Sequence, residues 1–454
     1  MKEVKMMNMQ VGTNLTEKDE KYVWHSMKPY NPDATMIIEK AEGAWLTDIN
    51  GKRYLDAMSG LWCVNVGYGN KEIALAAYEQ LLKNNYTPLS MSHPSAILLA
   101  EKISDMLGDD YVVFFSNSGS EANETAFKIA RQYFQQKGET SRYKIVSRYR
   151  AYHGNTMGAL AATGQAERKY KYEPLAPGFL HVKAPDCYRY PEEHENAMEL
   201  PSVKAIDEAM TWEHSDTIAA MILEPIITGG GVIMPPENYL QGVQEVCRKH
   251  GALLIVDEVI CGFGRTGKAF GHQNYGIKPD IVTMAKGLTS AYMPLSATAV
   301  RREVYEAFMD SGDYDFFRHV NTFGGSPAAC AVALKNLEVM DRENLIGRSE
   351  EMGALLLKEL KEKLDGHPYV GDIRGKGLLI GIELVSDRGT KAPAEVSTVN
   401  KIIAHCKQNG VIIGKNGVTV AGYNNVLTLS PPLNISADEK DLIVAELMKA
   451  IEAV

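Results

Sequence analysis

Residues 252–259 read ALLIVDEV, and residues 281–288 read IVTMAKGL. Each is an apolar run that meets a charge, a carboxylate pair in the first and Lys286 in the second. Unbroken apolar runs of this length read as strands covered on both faces, as in parallel sheets flanked by helices. IAAMILEPI (218–226) is a third such run, ending at Glu224, and residues 236–249, between it and ALLIVDEV, have a helical pattern. Strand, helix, strand in this order predicts an α/β protein with a mostly parallel central sheet.

The same texture extends outward. YVVFFSNSGSEANETAFKIARQYFQQ (111–136) is a short strand, a Ser/Asn/Gly turn and a helix; YKIVSRYRAYHG (143–154) begins with another strand, and SATAVRREVYEAF (296–308) reads as strand then helix. Upstream, AEGAWLTDINGKRYLDAMSG (41–60) predicts a hairpin around the turn at 48–51. Residues 71–84 and 94–107 carry apolar positions three and four apart, which predicts amphipathic helices. Beyond residue 327 the pattern changes. Two long helices are expected over 327–363, then a strand in GLLIGIELV (377–385), a helix at 395–408, strands in VIIG (411–414) and NVLTLSPPL (425–433), and a last helix near 437–453. This is a smaller α+β domain.

Bulk composition bounds the function. The chain has 454 residues, too many for one compact core. Its formal charge of −9 disfavours nucleic acid as a partner. No uncharged apolar run approaches the roughly 20 residues that span a bilayer, and the N-terminal residues lack a signal-peptide core. The six cysteines are scattered, with no C-x-x-C pair. That argues against a zinc cluster and for a reducing compartment, so a cytoplasmic location is expected. Cys63 and Cys261 stand out because each lies within a motif-like stretch.

Several strand ends carry chemistry, and each has a plain structural alternative. Ser118, Gly119 and Ser120 sit where a strand meets a helix, so their N–H groups and hydroxyls form either an anion cradle or a simple helix cap. Asp257 and Glu258 are adjacent on a strand and point to opposite faces. One is expected to face a ligand and the other to be structural. A strand-end carboxylate in an α/β sheet stands where ligands bind and can hold a cationic ring nitrogen protonated. Magnesium lacks the further clustered carboxylates it would need. Tyr152 offers a flat ring for stacking, and His153 is a base, a ring partner or a structural histidine. Glu224 precedes the flexible turn at Gly229, Gly230 and Gly231. Lys286 is either a surface lysine after a strand or an amine kept partly dry, with the lowered proton affinity of a Schiff-base former. Taken together, a phosphate cradle, a ring-nitrogen acid, an aromatic and an imine-forming lysine describe a site for pyridoxal phosphate.

These motifs resemble the class III aminotransferases, pyridoxal-phosphate enzymes of fold type I, and among them the omega-amino acid:pyruvate aminotransferases. The resemblance rests on LLIVDEVICGFGRTG (253–267) followed by KPDIVTMAKGL (278–288), with SNSGSEANETAFKIAR, AYHGNT, LEPI and NTFGGSP (321–327) in order. It runs from about Trp45 to the last residues. It implies helices on both faces of the central sheet. It also implies an N-terminal segment (1–75) contributing to the small domain and the site entrance, a large cofactor domain (76–326) and a C-terminal small domain (327–454). Lys286 would carry the cofactor and shuttle the proton, and Asp257 would pair with the pyridine nitrogen. Ser118, Gly119 and Ser120 would serve the phosphate. Tyr152, His153, Glu224 and Val259 would surround the ring. Thr322 would reach the cofactor of a neighbouring subunit, so a homodimer with shared sites is expected, or a tetramer built from it. Trp62, with Tyr22 and Trp24, would line the substrate pocket.

One departure stands out. Many relatives place a mobile arginine near the last strands, to grip the substrate carboxylate. Here GVIIGKNGVTVAGYNN (410–425) offers only Lys415, a point charge without arginine's planar fork. Arg265 and Arg374 read as structural. The expected reaction is transfer of an amino group from an amine or omega-amino acid to an oxo acid, pyruvate above all. The same lysine and aspartate would also serve an aminomutase, a racemase or a decarboxylase, and a non-catalytic dimeric scaffold is the alternative of another class.

Overall fold

In a computed structural model, residues 15–27, 31, 35–309, 312–417 and 419–454 are described. Seven strands form the central sheet: β1 (Tyr111–Ser116), β2 (Lys144–Arg148), β3 (Phe179–Val182), β4 (Ile218–Leu223), β5 (Leu253–Asp257), β6 (Ile281–Met284) and β7 (Ser296–Arg301). Their spatial order is β1-β7-β6-β5-β4-β2-β3. Strands β6, β5, β4, β2 and β3 pair in parallel, and β7 runs antiparallel between β6 and β1. The chain therefore leaves β2 for one edge, to β3, and returns to build β4, β5 and β6 on the other side. Such reversals of strand order are where α/β sheets open a crevice at their carboxyl ends.

The uninterrupted apolar runs have a physical reason. Met221, Leu223, Leu254 and Val256 face a core shared with the helices Pro201–Trp212 and Tyr239–His250. Their neighbours Ala220, Ile222, Leu253 and Ile255 face Ala126, Phe127, Ile129 and Ala130 of α1 (Gly119–Gln136) on the other side. Alternate residues thus enter two different cores, and neither set can be polar.

Two smaller sheets complete the fold. The expected hairpin forms between Trp45–Asp48 and Arg53–Asp56. Ile38–Glu42 extends it on one side. Val411–Ile412, more than 350 residues later, pairs in parallel on the other. The second sheet joins Val370–Lys376, Leu379–Asp387, Val426–Leu429 and Gly414–Lys415, with Ala392–Pro393 beside it. Helices Pro327–Arg342, Leu345–Leu364, Val396–Gln408 and Ala437–Glu452 match the expected segments. The strands Ile38–Glu42, Phe179–Val182, Val370–Lys376 and Ala392–Pro393 are not among those expected from the sequence. Ile38–Glu42 is mostly exposed, and its mixed sequence IEKAE has no apolar alternation.

Distant segments meet at Arg265, which is fully buried. Its Nη1 donates to the carbonyls of Leu378 (3.1 Å) and Pro431 (2.6 Å), and its Nη2 to Ser59 Oγ (3.2 Å) and Asn65 Oδ1 (2.9 Å). Burial pulls the guanidinium down to about 10, against the opposing pull of Cys63 and Asp56. Arg265 thus ties the loop after β5 to the N-terminal segment and to the small sheet. Arg265→Met leaves those acceptors buried without a donor, which is expected to cost about 2–5 kcal/mol. Denaturant midpoints would measure it; a loss below about 0.5 kcal/mol, as at an ordinary surface site, would show that the arginine bridges nothing that matters.

Candidate active site

The strand ends converge on one cavity of about 160 Å³, lined by residues that follow β1 (Gly119, Ser120, Asn123), β2 (Tyr152, His153, Gly154), β4 (Glu224), β5 (Asp257, Val259, Ile260) and β6 (Ala285, Lys286). A single water occupies about 30 Å³, so the space suits a small organic molecule.

Asp257 ends β5 and is buried. Its Oδ2 accepts from Asn123 Nδ2 (2.8 Å) and lies 2.9 Å from His153 Nδ1; its Oδ1 accepts from the Val259 N–H (3.0 Å). Asn123 in turn is fixed by Thr283 of β6, whose Oγ1 donates to Asn123 Oδ1 at 2.7 Å. Glu258 leaves the strand on the other side. Its carboxylate accepts the N–H groups of Gly271 (2.8 Å) and His272 (2.7 Å) and sits 2.8 Å from His272 Nδ1. The opposite facing of the two acids is as the strand geometry predicts.

Glu224 is buried and satisfied: Oε1 accepts from the Tyr152 N–H (3.1 Å), and Oε2 from Thr228 N (3.0 Å) and Oγ1 (2.7 Å). Burial raises its proton affinity, the His153 ring opposes that, and Asp257 adds to it. Ser118 caps α1 through its hydroxyl, which accepts from Glu121 N (3.2 Å), and it does not line the cavity. Ser120 Oγ donates to Asn155 Oδ1 (2.9 Å) and accepts from Asn155 N (3.1 Å). Gly119 lies so close to Val259 that a Cβ there would meet Val259 Cγ2 at 3.0 Å. Glycine at this position therefore lets Val259 pack directly on the backbone at the start of α1.

Lys286 follows β6 with a left-handed backbone, φ 44°. Its Nζ lies 6.0 Å from the Trp62 ring centroid. Burial lowers the proton affinity of the amine, while Asp257 and Cys63 pull the other way. Trp62 packs against Ile226, Val232, Cys261 and Leu379, and its indole Nε1 is buried without a partner.

Other expected residues stay apart from the cavity in this chain. Tyr22 and Trp24 are 72% and 100% exposed, on an N-terminal segment whose helix buries nothing. Thr322 lies in an exposed turn. Lys415 donates to Asn400 Oδ1 at 2.8 Å and is not among the lining residues, because its strand, Gly414–Lys415, belongs to the small sheet. Arg374 serves the interior, donating to the carbonyls of Val232 and Gly231 and pairing with Glu383. Asn123 was not anticipated. Its signal was present: it stands four residues after Gly119 on α1, hence on the same helix face.

Backbone donors at a helix start, a buried strand-end carboxylate held from both sides, an aromatic and a half-dry lysine fit pyridoxal phosphate. The class is a pyridoxal-phosphate-dependent transferase of fold type I. The family model "Aminotransferase class-III" matches residues 27–451. The chain is 62% identical over 449 residues, 99% of each chain, to the "Uncharacterized aminotransferase YhxA" of Bacillus subtilis. It is 44% identical over 97% of each chain to the taurine--pyruvate aminotransferase of Bilophila wadsworthia. A crystal structure of a Bacillus anthracis aminotransferase superposes with a TM-score of 0.96 and 64% identity, covering 97% of this chain and 98% of that one. The chain belongs to the class III aminotransferases, enzymes that use pyridoxal phosphate and act on an amine donor and an oxo-acid acceptor. Among the described residues, no helix is long and apolar enough to cross a membrane.

The Lys286 environment sets a pH dependence for the cofactor-free protein. A lysine whose folded proton affinity is lowered binds fewer protons folded than unfolded, between the depressed value and the ordinary one of about 10.4. The penalty is complete at low pH and vanishes as pH rises through that window. Wild type should therefore gain stability relative to Lys286→Met as pH is raised toward 10. Melting temperatures of both proteins without cofactor would measure the difference; parallel curves would mean that Lys286 is not held dry.

Proposed function

We propose that this enzyme transfers an amino group from an omega-amino acid or simple amine to pyruvate, in two half-reactions on one site. The observation that carries this reading is the approach of β5 and β6, whose ends bring Asp257 and Lys286 to one cavity. Its acceptor is supported by the relative that is named for taurine and pyruvate.

Pyridoxal phosphate, when bound, supplies an electron sink for the carbon that loses its proton. The chain's own residues do the rest. Lys286 would hold the cofactor and, once its amine is free, would remove the proton beside the donor nitrogen and return one later as acid. The lowered proton affinity of its amine suits a base. Asp257 would keep the ring nitrogen protonated, and Asn123 and His153 hold that carboxylate in place. Gly119 and Ser120 would bind the phosphate, with Ser118 capping the helix that presents them. Tyr152 would stack on the ring, its backbone fixed by Glu224. Val259 lines the cradle and Trp62 walls the substrate space. We assign the described residues of 76–326 to the cofactor domain and those of 327–454 to the small domain, to which the described N-terminal residues up to 75 would contribute at the site entrance.

The site is shared in a homodimer. Thr322 in its exposed turn would reach the phosphate of the second subunit. An apolar groove lined by residues of 88–92 and 316–324, with Met91 68% and Val320 78% exposed, suits a subunit contact. Tyr22 and Trp24 join a pocket only in that assembly. Six free cysteines fit a reducing cytoplasm.

Lys286→Ala is expected to abolish turnover together with the visible absorbance of the lysine-linked cofactor; full activity would refute the assignment. Asp257→Asn should keep the cofactor and lower kcat by on the order of 10²–10³, and near-normal rates would remove its role. Assays of taurine, beta-alanine, 4-aminobutyrate, a diamine and an aryl amine against pyruvate, 2-oxoglutarate and glyoxylate would rank donors and acceptors. Alanine should form from pyruvate only when an amine is added. Alanine formation without one, or multiple turnovers of the amine without an acceptor, would point to a different reaction on the same fold.

A further inference from the structure

Arg168 lies on the short helix Ala166–Lys169, next to the site. Its guanidinium stacks 4.7 Å from the centroid of Tyr152, a ring that lines the Lys286 cavity. Nε donates to Gln165 Oε1 at 2.6 Å, and Nη1 contacts Met27 Sδ at 3.4 Å. Among the described residues, Arg168 pairs with no carboxylate, and its Nη2 has no partner. The other arginines near this crevice are committed: Arg150 to Asp186 and Gly230 O, Arg148 to Glu224 O, and Arg374 to Glu383. Burial lowers the proton affinity of Arg168, and Tyr152 alone opposes that. A half-buried guanidinium with no carboxylate partner among the described residues is a ready receptor for an anion.

The helix that carries it is braced by the loop that lacks arginine. Glu167 N donates to Thr419 O (3.1 Å), and Asn424 Nδ2 donates to Glu167 Oε2 (2.9 Å). Thr419 Oγ1 in turn donates to Asn424 Oδ1 (2.6 Å). Gln165 is anchored from the other end, where its Nε2 donates to Arg150 O (2.9 Å). The one basic residue of 410–425, Lys415, is engaged with Asn400. The loop thus supplies no cation of its own and instead supports the helix that presents one.

We propose that Arg168 determines substrate specificity by binding the terminal oxyanion, carboxylate or sulfonate, of an omega-amino acid donor whose amine lies at Lys286. The proposal rests on the transaminase reading above. The guanidinium fork matches two oxygens of either group, and its attachment to Tyr152 sets its position relative to the reacting amine.

The test is the donor half-reaction of cofactor-loaded enzyme with no oxo acid present, so that an acceptor carboxylate cannot contribute. Taurine carries the sulfonate, beta-alanine the carboxylate, and 1-propylamine neither. Arg168→Gln should slow the anionic donors by about 10–100-fold and 1-propylamine by less than about twofold. Arg168→Lys should recover part of the loss, because it restores charge without the fork. Ethanesulfonate and propionate, which have no amine, should bind wild type in calorimetry and not Arg168→Gln. A loss confined to taurine or to beta-alanine supports the proposal and identifies the anion. Equal losses with all three donors would mean that Arg168 only supports Tyr152, and overturn it. Unchanged rates with both anions, or a wild type that accepts 1-propylamine and neither anion, would overturn it as well. A wild type that reacts with no amine would instead strike at the transaminase reading itself.

Discussion

Everything at the site depends on how β5 ends. Asp257 and Glu258 are consecutive, so the pleat sends them to opposite sides. Asp257 enters the cavity, where Asn123 and His153 hold one of its oxygens. Glu258 turns the other way and gathers the N–H groups of Gly271 and His272. Each acid is buried, and each is tolerable there because its oxygens are satisfied. The second acid fixes the loop that follows the strand, and so the strand end cannot drift away from the first acid's partners. Register extends this to β6: Asp257 faces Thr283, and Thr283 bonds Asn123. Lys286 follows Thr283 by three residues. The spacing of amine and carboxylate is therefore set by a ladder and one asparagine.

The strand ends were legible because their signal is local. A carboxylate or lysine closing an apolar run needs only neighbours in sequence to be noticed, and Asp257, Glu224 and Lys286 were found that way. The covered sheet was legible for the same reason, since residues feeding two cores leave no polar alternation. What was not legible depends on partners far along the chain. Nothing near Lys415 announces Asn400 as its partner, and nothing near Arg265 announces Leu378 or Pro431. Arg168 escaped notice because AERK reads as an ordinary helical turn; only folding brings it onto Tyr152. Ser118 was read as cap or cradle. It caps in the fold, and the cavity takes Gly119 and Ser120.

The loop at 415–425 shows how a segment rich in glycine and asparagine can still be held. Tyr423 lies between two guanidiniums, 5.4 Å from Arg150 and 4.8 Å from Arg189. Those arginines belong to a buried ionic group that includes Asp186, Glu383 and Arg374. Burial alone would raise the Glu383 carboxyl, but Arg374, Arg189 and Arg150 outweigh it and hold it below the usual range. Removing one member of such a group strands the others without compensation, which makes the arrangement rigid in composition as well as in shape. Asn416 adds hydrogen bonds to Gly230 O and Tyr423 O.

A loop whose Asn416, Thr419 and Asn424 are already engaged changes how a substrate charge must be met. A mobile arginine serves two substrates by swinging between them, and that requires a loop free to release it. Here the loop's polar side chains are spent on Glu167, Tyr423 and one another, so freedom at this position would break contacts on both sides. A cation fixed beside Tyr152 suits the opposite arrangement, in which the receptor stays in place and the substrate is chosen by its length. In such a site, discrimination comes from whether an anion reaches a pre-positioned guanidinium while its amine reaches Lys286. A donor too short or lacking the anion leaves the half-buried cation unmatched, and the discrimination follows from that unpaired charge.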